Sequence, residues 1–181
     1  SNMIMQANMP VRFFGSGSGK VEITFNGIKK EVLADGDWLI EFQSVSYGGP
    51  YDVLVGLDGT YFILKNVYFG DVYLLGGQSN MQFKLHESSE PKENYRGNSN
   101  VRLFTVDRME GGEHFCSRDG WVELSKESAP YFSAIGYYVG HGLASNERKI
   151  GLIACYQGAS VIQSWMPRDV ALVPEFKIEN R

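Results

Sequence analysis

The sequence is short of the features that commit a chain to several common functions. Its 181 residues include two cysteines, Cys116 and Cys155, too few for a disulfide framework and not spaced as a metal motif. They can form one bridge or stay free, so the redox compartment is open. No apolar run approaches the roughly 20 residues needed to span a bilayer, and no membrane role is expected. Acidic residues outnumber basic ones, 21 to 17, for a net charge of −4, and Lys and Arg nowhere cluster densely. A nucleic-acid partner is therefore not expected. The opening Ser1-Asn2-Met3 reads as a tag remnant, with residues 1–10 as tag or leader, so the lack of a signal peptide is uninformative about the natural address. The stretch Gly15 to Lys20 has the glycines of a phosphate loop but not the Walker spacing. It also precedes a strand rather than a helix, which makes it a flexible turn.

What is present is an ordinary globular composition, 43% hydrophobic and 13% aromatic, with enough length for one large domain or two small ones. Residues 11–69 read as five or six short strands. Val21 to Phe25 alternates apolar and polar and ends at Asn26-Gly27, a hairpin signal; Ala34 to Asp37, Gly48-Gly49-Pro50 and Asp58-Gly59 mark further turns. Residues 1–69 are thus expected to form a small antiparallel sandwich-like domain. From residue 70 onward the pattern changes. Val72–Leu75, Val101–Val106 and Ile150–Cys155 read as buried strands. Residues 84–100 read as a surface loop. Phe132, Ile135, Tyr138, Val139 and Leu143 fall at helical spacing between Tyr131 and Asn146. Strand, helix, strand at these lengths implies a parallel sheet in residues 70–181 and an α/β fold class.

The chain is organised around Gly70-Asp71-Val72-Tyr73-Leu74-Leu75-Gly76-Gly77-Gln78-Ser79-Asn80-Met81. Four apolar residues bounded by turn residues suit a strand covered on both faces, and two glycines permit a sharp exit from it. Ser79 then stands where open α/β sheets bind their ligands, the position of an exposed nucleophile. A polar loop with no chemistry is the alternative. The loop after Cys155 leaves the same sheet edge and brings Gln157 and Gly158 toward Ser79. Gly158 admits close backbone approach, while Gln78, Asn80, Gln157 and Gln163 offer neutral donors for a developing oxyanion. These amides could equally do no more than satisfy loop backbone.

Four blocks, in order, carry a resemblance to a known family. They are Gly77-Gln78-Ser79-Asn80-Met81 after Gly70-Asp71-Val72-Tyr73-Leu74; Phe132-Ser133-Ala134-Ile135-Gly136-Tyr137-Tyr138; Ile150-Gly151-Leu152-Ile153; and Gly158 through Met166. The chain resembles the SGNH (GDSL-like) hydrolases, in their sialate O-acetylesterase and acetylxylan-esterase-like branch. Asp35 to Trp38 and Gly48 to Tyr51 look like the β-rich domain that precedes the esterase domain there. The resemblance implies a small β-sandwich-like domain followed by part of a three-layer α/β/α domain with a parallel sheet. It implies an acetylated carbohydrate as substrate, no metal or organic cofactor, and a periplasmic or extracellular location. By position Ser79 is the nucleophile, its own N–H and that of Gly158 are oxyanion donors, Gln157 lies beside them, and Gln78 and Asn80 brace the loop. Ala159 stands where this branch usually has a second glycine, and Gln163 where an acidic residue is common.

A serine nucleophile needs an adjacent base, normally a histidine oriented by a carboxylate. In this family both lie in an Asp-x-x-His segment near the C-terminus. The chain has His86, His114 and His141, none in that context. The expectation is therefore the first half of an esterase domain, from a truncated or partial product. Two further readings stay open. One is a non-catalytic carbohydrate-binding module, with Trp38, Trp121 or Trp165 stacking on sugars. The other is association through an unpaired sheet edge, with a second chain supplying the base.

Overall fold

The computed structural model describes residues 1–107 and 119–171. Eight strands make one mixed sheet: β1 (Ile4–Gln6), β2 (Val11–Phe25), β3 (Ile28–Phe42), β4 (Gly48–Leu57), β5 (Thr60–Gly77), β6 (Asn98–Thr105), β7 (Trp121–Leu124) and β8 (Ile150–Tyr156). Their order is β3-β2-β4-β5-β8-β6-β7, with β1 parallel to β5. The fold is therefore mixed α/β, as expected. No described helix is long and apolar enough to cross a membrane.

The antiparallel arm differs from the expected set of short strands. β2 and β3 form one hairpin closed by Asn26 and Gly27, both at positive φ, as a tight two-residue turn requires. The stretch from Gly15 to Lys20 is not a turn but the middle of β2, and Ala34 to Asp37 is the middle of β3. Gly17 pairs with Gly36, at φ +151° and +105°, so the ladder bends there without breaking. The bend is sharp. Phe13 and Phe25 lie twelve positions apart in one strand, about 40 Å if it were straight, yet their ring centroids are 6.2 Å apart. Phe42 and Phe69 join them edge-on or tilted, together with Tyr51, in a core with Ile23, Val53 and Val67. Hairpin periodicity read residue by residue shows strands and gaps; it does not show that glycines at matching register keep the ladder whole.

β5 leaves this core and enters a second one. Its last seven residues pair in parallel with β8, from Asp71↔Ile150 to Gly77↔Tyr156, and β8 pairs in parallel with β6. Helix α2 (Ala134–Leu143) covers one face of these strands. The apolar spacing at Ile135, Tyr138, Val139 and Leu143 misplaced its contact face. Ile135 and Tyr138 are largely exposed; Ala134, Gly136, Tyr137 and Gly140 are buried. A Cβ on Gly136 would stand 2.6 Å from Leu75, and one on Gly140 3.0 Å from Val101, so α2 sits on the sheet through small residues. Residues 84–100 are more ordered than a surface loop: Leu85 and Tyr95 are buried against this core.

The opposite face lacks such a layer among the described residues. Leu74, Ile153, Phe104 and Trp121 are paired in register across β5, β8, β6 and β7, and Leu74 is 68% exposed. The strand Val72–Leu75 is thus covered on one face here, not two. Cys155, on that same face, is a half-buried free thiol, and Cys116 lies outside the described residues.

Two carboxylates tie the strands electrostatically. Burial pushes Asp71 up, but hydrogen bonds from Arg148, Tyr47 and Gln6 outweigh it and hold its carboxyl below the usual range. Hydrogen bonds from Lys29, then Tyr61 and Lys20, draw Glu22 from 4.5 down to about 2. Both groups favour the charged form in the native state, so the unfolded chain binds protons first on acidification. Stability is expected to be level above about pH 5 and to fall as pH drops from 4.5 toward 2. Glu22→Gln should flatten that slope in urea unfolding followed between pH 3 and 7; an unchanged slope would remove Glu22 from the account.

Candidate active site

At the carboxyl end of the parallel strands two loops emerge side by side. β5 runs through Gly77, at φ +143°, into Gln78 and the one-turn helix α1 (Ser79–Gln82). β8 ends at Tyr156, opposite Gly77, and Gln157 extends the ladder by donating its N–H to the Gly77 carbonyl at 2.9 Å. The parallel register therefore brings Gln78, Ser79, Gln157 and Gly158 to one edge, as the sequence suggested. Ser79 opens α1, so its N–H has no intrahelical acceptor. Its side chain is exposed, and its hydroxyl donates to Gln78 Oε1 at 3.3 Å. An amide oxygen orients this hydroxyl but cannot take its proton.

The Gly158 N–H donates to Gln82 Oε1 at 2.6 Å. Gln82 thus occupies the acceptor position of the very amide expected to bind an oxyanion, and it couples α1 to the β8 loop. The sequence reading missed Gln82, although its place three residues after Ser79 in a one-turn helix is a signal that it faces the same way. Asn80 is exposed on α1. Gln157 spends its side-chain amide on the Gly158 carbonyl at 3.1 Å. Gln163 is half-buried in the 3-10 turn Ile162–Trp165.

That turn closes the site from the other side. The Trp165 indole N–H donates to Ser160 Oγ at 2.8 Å, and Ser160 Oγ donates to the Gln157 carbonyl at 2.6 Å. Trp165 faces Gly76, whose absent Cβ would meet the indole at 3.6 Å. The resulting cleft, about 400 Å³, is lined by Gly76, Gly77, Gln78, Ser160, Ile162 and Trp165. Its lining carries no formal charge. Of the three tryptophans only Trp165 lines it; Trp38 packs on the antiparallel core and Trp121 against Phe104.

The described histidines serve other contacts. The His86 ring meets Tyr131 edge-on at 5.7 Å, in a different cleft. His141 packs edge-on against Tyr137 at 4.5 Å, with Nε2 3.3 Å from the Arg96 carbonyl. Neither hydrogen-bonds Ser79, and His114 lies outside the described residues. No cluster of metal-ligating side chains occurs among the described residues.

With this geometry in view, comparison with known proteins is informative. No protein-family model matches the chain. It is 29% identical to a sialate O-acetylesterase of Rattus norvegicus, over 86% of this chain and 33% of that protein. It is 26% identical to the sialate O-acetylesterase of Homo sapiens, over 91% of this chain and 37% of that one. The chain is a distant relative of the sialate O-acetylesterases. A crystal structure of a carbohydrate acetylesterase from Xanthomonas citri superposes with a TM-score of 0.83 at 27% identity, over 97% of this chain and 43% of that one. The chain thus spans about a third of the length of the curated relatives it matches.

Where this chain departs from the resemblance, the backbone records it. Ala159 sits at φ +61°, a region that suits glycine, in a turn closed by the Ser160 N–H on the Gln157 carbonyl. A left-handed non-glycine residue costs on the order of 1 kcal/mol. Ala159→Gly is therefore expected to stabilise the chain by up to about 1 kcal/mol in urea unfolding. A loss of stability would show that the alanine methyl makes a contact worth more than the relieved strain.

Proposed function

We propose that the chain carries the nucleophile end of a carbohydrate O-acetylesterase site. The observation that supports this reading is the pairing of β5 with β8, whose two loops leave one sheet edge and are joined by the Gly158 N–H on Gln82, three residues after Ser79. The names of its relatives support the class of reaction and substrate. In this reading Ser79 Oγ attacks the acetyl carbonyl. The developing oxyanion accepts from the N–H groups of Ser79 and Gly158, replacing Gln82 Oε1 at the latter. Loss of one such donor typically costs about 3–4 kcal/mol of barrier. Collapse expels the sugar hydroxyl and leaves acetyl-Ser79, which water hydrolyses to acetate and free serine.

The proton of Ser79 must go to a base, and no described residue is placed to take it. The proposal therefore includes a base outside the described residues. A non-catalytic carbohydrate-binding role is the second reading, favoured by Trp165 at the cleft rim. Hydrolysis of 4-nitrophenyl acetate separates them. A polypeptide continued to the length of the relatives is expected to hydrolyse the ester and to lose at least about a thousandfold in kcat on Ser79→Ala. The 181-residue chain alone should be far slower. Inactivity of the longer polypeptide would favour the binding role.

A further inference from the structure

The Gly158 N–H already has a partner that a reacting oxygen must move. Gln82 Oε1 accepts from it at 2.6 Å, close to the distance an oxyanion would take from the same donor. At such distances two oxygens cannot both lie on the line of one N–H. The donor is fixed. Gln157 donates its side-chain amide to the Gly158 carbonyl at 3.1 Å, and the Ser160 N–H closes the turn on the Gln157 carbonyl. Beyond its chain neighbours, a Cβ on Gly158 would meet Gln82 alone among the described residues, 2.8 Å from Oε1. Glycine at this position therefore admits the contact.

The acceptor, by contrast, can leave. Gln82 is the last residue of α1, with its own N–H held on the Gln78 carbonyl at 3.0 Å. Its amide is half-buried at the end of a side chain with several rotatable bonds. A rotamer change clears the Gly158 N–H and leaves the backbone where it is. Charge decides what can take its place. An amide oxygen carries more negative charge than an ester carbonyl oxygen, so a neutral ester does not win the N–H from Gln82. A hydrogen bond to an ionised acceptor is roughly twice as strong as one between neutral groups. An oxyanion or a carboxylate therefore wins the exchange that the ester loses.

We propose that Gln82 is a gate on the Gly158 N–H: it holds that donor at rest, stays while a neutral ester binds, and yields to an anionic oxygen. The proposal deepens the esterase reading and rests on it for the role of Gly158. Gln82 then opposes the reaction beside it. The contact breaks only as negative charge develops, so its removal lowers the barrier without changing how the ester binds. Acetate, the ion that the reaction releases, presents an anionic oxygen too and meets the same gate.

Nuclear magnetic resonance of the 181-residue chain carrying isotope-labelled glycine tests the gate without catalysis. The Gly158 amide signal is the one missing from Gly158→Ala, and it is followed during titration with sodium acetate. Gln82→Leu, similar in size to glutamine but lacking an acceptor, is expected to bind acetate at that amide at least about fivefold more tightly than the parent chain. Methyl acetate, a neutral ester, should leave the parent signal unmoved. Equal or weaker acetate binding in Gln82→Leu, no response of Gly158 in either form, or a parent signal that follows methyl acetate would each overturn the proposal. Melting temperatures check folding, and Gln82→Met repeats the test if Gln82→Leu does not fold. In hydrolysis of 4-nitrophenyl acetate by a polypeptide continued to the length of the relatives, Gln82→Leu should raise kcat about three- to tenfold with KM unchanged. Gln82→Glu, whose carboxylate holds the N–H more strongly, should lower kcat, and more so as pH rises through the ordinary carboxylate range. A lower kcat in Gln82→Leu would make Gln82 a brace rather than a gate. The two readings fail separately. Active hydrolysis that Gln82→Leu does not speed removes the gate while the esterase reading stands. If no form hydrolyses the ester, the esterase reading falls, and the acetate titration still decides whether Gln82 screens that amide.

Discussion

Seven parallel pairs between β5 and β8, ending at Gly77↔Tyr156 and continued by the Gln157 N–H on the Gly77 carbonyl, hold the two loops of the candidate site in one relation. Strand pairing has a period of two, so a slip of one residue would turn Leu75 and Ala154 out of the core and expose them. The core thus enforces the register, and the register enforces the position of Ser79 relative to Gly158. Asp71 and Arg148 clamp the opposite end of the same pair of strands. Neither loop could be placed by its own sequence, because both are short, polar and rich in small residues.

The helix layer serves the same end. Gly136 and Gly140 let α2 approach the sheet closely, and its first turn is stitched to the chain leaving α1. The Ala134 N–H donates to the Phe83 carbonyl and the Leu85 N–H to the Phe132 carbonyl, while Ser133 caps α2 through the Gly136 N–H. Helix α1, only one turn long, gains its stability from these tertiary ties, since an isolated turn is unstable.

Much of this was legible in the sequence, and the failures have physical causes. The three parallel strands, the tight turn at Asn26-Gly27 and the emergence of the loops after β5 and β8 at one sheet edge followed from apolar runs and turn residues. The burial of α2 did not, because the helix contacts the sheet through Ala134, Gly136 and Gly140, which carry little hydrophobic signal. The bend at Gly17 and Gly36 was misread as loops, since glycine marks a turn and a bent ladder alike. The partner of Gln82, the Gly158 N–H, lies 76 positions away and leaves no trace near it; its place three residues after Ser79 shows only which way it faces. Ala159 was noticed as a departure from the resemblance, and its positive φ gives that departure a physical meaning.

The central claim is that Ser79, presented by this strand pair, is the acyl-accepting group. The most direct measurement is peptide mapping by mass spectrometry after treating a polypeptide continued to the length of the relatives with diethyl 4-nitrophenyl phosphate. Attack by an activated serine oxygen forms an O–P bond and expels 4-nitrophenolate, leaving a stable diethylphosphoryl serine. The account predicts a single adduct, on the peptide that bears Ser79, absent from Ser79→Ala. An adduct on a different residue, with Ser79 unmodified, would contradict it.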